Sequence, residues 1–65
     1  MDREIVNFVS LDDTEQRALV TANVLTQSDL MFLEHADIVL LLPSARILKQ
    51  RKMTQLARYF AGVIR

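Results

Sequence analysis

Ser44–Arg65 reads S-A-R-I-L-K-Q-R-K-M-T-Q-L-A-R-Y-F-A-G-V-I-R, and it decides the fold class. Pro43 punctuates the chain before it, and Ser44 is a good N-cap for a helix starting at Ala45. From there to Ile64 the only poor helix former is Gly62, in the last turn, where fraying or a cap is expected. At helical spacing Met53, Leu56, Phe60, Val63 and Ile64 share one broad apolar face, with Leu48, Lys52 and Tyr59 along its edge. The opening turns are instead surrounded by Arg46, Lys49, Arg51 and Lys52, with Arg58 further along. The pattern predicts a helix whose residues 53–64 pack into a core while residues 46–52 reach past it into solvent. Lys49, Arg51 and Lys52 near the helix start oppose its positive pole at a small cost. That placement fits a basic end that meets phosphates or carboxylates. A simply solvated charged face is the plainer reading.

Working backwards, Ser28–Leu42 is apolar around most of a helical circumference. Phe32, Leu33, Ala36, Val39 and Leu40 take one side, and Met31, Ile38 and Leu42 widen it. Only Asp29, Glu34 and Asp37 keep a polar strip. Such a segment is a central helix or the seam of a dimer. The alternative ends the helix near Asp37 and makes Ile38–Leu42 a buried strand, which period alone does not decide. Thr26 with Asp29 three residues on marks the helix start as an imperfect capping box. Thr14–Leu25 reads as a further helix, capped by Asp12 or Asp13 with Glu15 and Gln16 in its first turn. Ile5, Phe8 and Val9 fit a short amphipathic helix before the polar break at residues 10–13, with a strand as the alternative. The expected architecture is all-α: one domain over residues 1–65, a small bundle of three to four helices.

Size and composition push this bundle towards a homodimer. A chain of 65 residues buries only roughly 60% of its unfolded surface, so a lone copy would be marginal. No cysteine is present to staple it, yet 51% of its residues are hydrophobic. The formal net charge of zero hides a strong asymmetry. All eight acidic residues lie at or before Asp37, and six of the eight basic ones lie at or after Arg46. Such separation suits self-pairing or an oppositely charged partner. Charged residues follow Met1 at once, and the longest apolar run, Ile38–Leu42, is far short of a membrane span. The expectation is a cytoplasmic protein with no membrane partner.

Catalytic, cofactor and metal motifs are not found. Gly62 is the only glycine, so phosphate-cradling loops are excluded as motifs. Asp12, Asp13 and Glu15 lack the alternating ligands and glycine of a calcium loop and read as capping groups. His35, the one histidine, has no nucleophile or second polarising group beside it and reads as a boundary or core residue with one ring nitrogen hydrogen-bonded. The sequence therefore points to binding rather than catalysis, with no catalytic, cofactor or metal residues. Two readings remain. One is a homo-oligomeric helical module that docks on a protein partner, using Met31, Phe32, Ile38, Leu41 and Tyr59, with Phe60 as a further aromatic candidate. The other is a nucleic-acid binder, with Arg46, Lys49, Arg51, Lys52 and Arg58 on phosphates and Gln50, Thr54 or Gln55 reaching bases. Overall neutrality weighs against the second.

Overall fold

The computed structural model describes residues 2–64, apart from the side chain of Ile64, so the expected place of Ile64 on the apolar face lies outside the described residues. A 3-10 turn at Ile5–Asn7 is followed by helices α1 (Asp13–Thr21), α2 (Gln27–Leu30), α3 (His35–Leu41) and α4 (Ile47–Ile64), with no strand among the described residues. The all-α expectation holds. A single antiparallel bridge between Glu4 and Thr26 ties the N-terminal segment to the α1–α2 connection.

Helix α1 starts on a complete capping box. Asp12 Oδ1 accepts from the Glu15 N–H at 2.8 Å, and Glu15 Oε1 accepts from the Asp12 N–H at 2.9 Å. Its end comes four residues before the expected Leu25. Asn23 takes the left-handed conformation with φ of 60°, which Asn tolerates better than most residues. The Val24 N–H then reaches the Leu19 carbonyl at 2.8 Å, and the Asn23 N–H reaches that of Val20 at 3.0 Å. Leu19 and Val24, both buried, close the apolar contact of this Schellman cap.

The expected helix over residues 28–42 is two short helices. After Leu30 the chain turns, with the Leu33 N–H bonded to the Leu30 carbonyl at 3.0 Å. It then restarts where Asp37 Oδ2 accepts from the Glu34 N–H at 2.9 Å. The break solves the problem posed by an all-round apolar segment, because each piece turns its own face inward. Leu30 of α2, and Ile38 with the following Leu42, are fully buried, where α2 and α3 both pack on α4 and α3 also meets α1. Residues 38–41 are helical, so the strand alternative is overturned.

At the start of α2, Asp29 Oδ2 accepts from the backbone N–H groups of Leu25 (3.0 Å) and Thr26 (3.2 Å). These bonds, that of Leu25 foremost, hold its carboxyl below the ordinary value of 3.8. A lowered folded value favours the ionised form, so its stabilisation is present above the ordinary carboxylate range and lost as pH falls through the lowered value. Asp29→Asn should accordingly lower the melting temperature at neutral pH, with the gap to the parent closing in acid. Thermal unfolding of both chains from about pH 2 to about pH 7 checks this.

Helix α4 begins at Ile47, two residues later than expected. The Ala45 N–H bonds the Leu42 carbonyl at 3.2 Å in a turn that carries Pro43 and Ser44, leaving Arg46 to accept the first helical bond, from Gln50, at 3.1 Å. Ser44 is exposed in this turn and is not the cap. Met53, Ala57 and Phe60 form the buried stripe, and Phe60 stands edge-on to Phe8 with ring centroids 5.0 Å apart. The radius of gyration, 10.6 Å, matches the value of about 10.7 Å expected for a folded domain of this length. One copy thus closes a core by itself.

Candidate interface on the outer face of the C-terminal helix

Along α4 two buried polar residues, Gln50 and Thr54, accompany Met53, Ala57 and Phe60 on the inward arc. Gln50 Nε2 donates to the Leu42 carbonyl at 2.7 Å, and the Thr54 hydroxyl donates to the Gln50 carbonyl at 3.0 Å. His35 Nδ1 lies 2.8 Å from the same hydroxyl oxygen. Because that hydroxyl's one proton is already committed to Gln50, the His35 Nδ1–H is the donor and Nε2 faces away from the bond. The chain of bonds fastens the first residue of α3 to α4. His35 itself is exposed rather than a boundary or core residue, though one ring nitrogen is bonded as expected.

This arrangement removes Gln50 and Thr54 from any base-reading role, since both are buried and bonded within the fold. Of the three expected base-reaching residues, only Gln55 is at the surface. Lys49 also leaves the basic set. Its Nζ lies 2.8 Å from Glu15 Oε1, the only salt bridge among the described residues. Glu15 is buried on α1, so Lys49 bridges the acidic half to the basic one inside the molecule. Arg46, Arg51, Lys52 and Arg58 are all exposed.

The outward arc of α4 combines these cations with large apolar groups. Ile47 is 65% exposed, Leu48 77%, Tyr59 65% and Val63 63%. Val63 therefore lies off the core face on which the sequence pattern places it. The reason is geometric: it falls on the side of the helix opposite Thr54 and Ala61, beyond the flank held by Leu56. Tyr59 packs edge-on against Phe60 at 5.8 Å, which fixes its ring while leaving it open to a partner. No acidic residue occurs anywhere in α4.

The sequence-derived interface residues are not brought together. Ile38 is 1% exposed and belongs to the core, so it offers no surface. Met31 and Leu41 are partly buried and pack against that core. Phe32, 75% exposed, and Tyr59 are open. Reasoning from periodicity left Ile47 unassigned and set Leu48 on the edge of the apolar face, whereas both are exposed among Arg46, Arg51 and Lys52. Among the described residues, no helix is long and apolar enough to cross a membrane and no group of three or more acidic or imidazole side chains is placed to hold a metal. Comparison with protein-family models, curated proteins and solved structures finds no match.

Proposed function

We propose that the chain is a small protein-interaction module, working as a homo-oligomer and docking on an acidic protein surface through the outer face of α4. The observation that supports this most directly is the composition of that face. Arg51, Lys52 and Arg58 alternate with Leu48, Tyr59 and Val63, all exposed and with no carboxylate among them. Tyrosine and arginine on a rigid helix are the residue types that dominate protein interfaces. Cations and apolar groups are interleaved rather than segregated, which does not suit a helix lying in a lipid surface.

The second reading, nucleic-acid binding, keeps Arg46, Arg51, Lys52 and Arg58 for phosphates but has lost Lys49 and two of its three base-reading candidates. Sedimentation equilibrium of the protein, alone and with a labelled random duplex at about 50 and about 200 mM salt, separates the two readings. Self-association with no duplex bound is the expected result. Duplex binding that falls steeply over this salt range would instead identify phosphate contacts and favour the alternative. Changing Arg46, Arg51 and Lys52 together to glutamine should weaken partner binding while leaving the helical circular dichroism intact.

A further inference from the structure

We propose that the surface receiving α4 is on a second copy of this chain, which assembles head to tail. Ile47 and Leu48 of one copy would seat in the apolar pocket between the N-terminal turn and α1 of the next. The inference rests on the docking role of α4 given above and names its partner.

The receiving pocket has a volume of about 230 Å³. Its floor is made by the core residues Ile5, Leu19 and Val24, and its rim by Val6, Val20 and Leu25, exposed by 44%, 54% and 48%. That size is below the roughly 300–1,000 Å³ of small-molecule sites, and suits one or two aliphatic side chains. Carboxylates gather at one edge. Glu4 lines the pocket itself. Asp29 is bonded to the backbone of the lining residues Leu25 and Thr26, and Asp2 Oδ1 accepts from the Ser28 N–H at 3.0 Å. Asp2 and Asp29 both sit below their ordinary pKa because backbone N–H groups bond them, so they stay ionised. Arg3, next to Glu4 in the chain, and Arg17, which borders a groove with the lining residues Gln16 and Val20, offset part of this charge.

The donor has the complementary form. Ile47 and Leu48 are the two most exposed apolar residues of the first turn of α4, and Arg46, Arg51 and Lys52 surround them. An aliphatic pair ringed by cations matches an aliphatic pocket edged by carboxylates in both shape and sign. The two surfaces share no residue. A contact between unlike surfaces leaves one of each free at the ends, so it propagates rather than closing as a two-fold dimer.

The test uses Leu48→Glu, which disables the donor, and Val20→Arg, which blocks the pocket mouth. Both positions are exposed, and circular dichroism confirms folding. By sedimentation, each variant alone should self-associate about ten-fold more weakly or less than the parent. An equimolar mixture should form a complex of one copy of each and stop there, because only one donor and one pocket remain intact. If Leu48→Glu abolishes association while Val20→Arg does not, the face of α4 is confirmed and this pocket is overturned as its receiver. A parent chain that stays monomeric at millimolar concentration overturns head-to-tail assembly and the homo-oligomeric part of the proposed function, leaving only the docking of α4 on a different acidic protein. Loss in neither variant overturns both readings. Should either variant fail to fold, the charge exchange Arg51→Glu mixed with Glu4→Lys asks the same question. Separate losses rescued on mixing support the proposal, and no rescue overturns it.

Discussion

Phe60→Ala is expected to remove about half of the protein's folding stability. Phe60 is 1% exposed and meets Phe8 edge-on, with the rings inclined at 62°. Truncating a buried phenylalanine costs about 3–5 kcal/mol through lost transfer energy and the cavity left behind. A chain this long has only about 3–10 kcal/mol of stability in total. The loss falls on the joint between the N-terminal turn and α4, which no disulfide reinforces. Far-UV circular dichroism in a thermal melt should show a broad early transition. The exposed neighbour provides the contrast: Tyr59→Ala should cost far less, because it removes one edge contact and leaves the buried stripe intact.

Lys49→Met should also be strongly destabilising, although the position is not in the apolar core. Glu15 carries two loads on one oxygen, accepting from the Asp12 N–H at the start of α1 and from Lys49 Nζ. Its side chain is 8% exposed, against 30% for Lys49. Taking away the lysine leaves a nearly dry carboxylate with a single backbone donor, at a cost of about 2–4 kcal/mol. For a domain of this size that lowers the melting temperature by about 10–25 °C. Adding Glu15→Gln should recover part of the loss, since the amide oxygen still accepts from Asp12 while the uncompensated charge is gone. The equivalent change at Arg51, which faces solvent, should fall within about 0.5 kcal/mol of the parent. Melting curves of the four chains separate a structural lysine from a surface one.

Those two residues also mark what could be read in advance. Phe60 as core follows from its spacing with Met53 and Leu56, because an amphipathic pattern specifies which side of a helix faces inward. The structural role of Lys49 does not. A wheel of α4 puts Lys49 with Arg46 on the continuation of the apolar face and Arg51 on the other side, but its partner Glu15 is 34 positions away and cannot be named from α4 alone. Likewise Gln50 and Thr54 look like surface polar groups until Leu42 and His35 are brought against them. Their burial is possible only because those residues satisfy their hydrogen bonds.

The amino-acid sequence by itself determined the helical class, the start of α1 to within Asp12 or Asp13, the capping role of Asp29, the inward place of Met53 and Phe60 on α4 and the separation of charge along the chain. These depend on short-range spacing and local hydrogen bonding. Tertiary structure alone decided where the apolar segment 28–42 breaks, that Asn23 stops α1 early and which cation is spent inside the fold. It also decided that Ile38 is core while Ile47 and Leu48 are surface. In each case the competing local readings cost similar amounts. The choice between them was made by which one buries apolar surface against α4 and leaves no buried polar group without a partner.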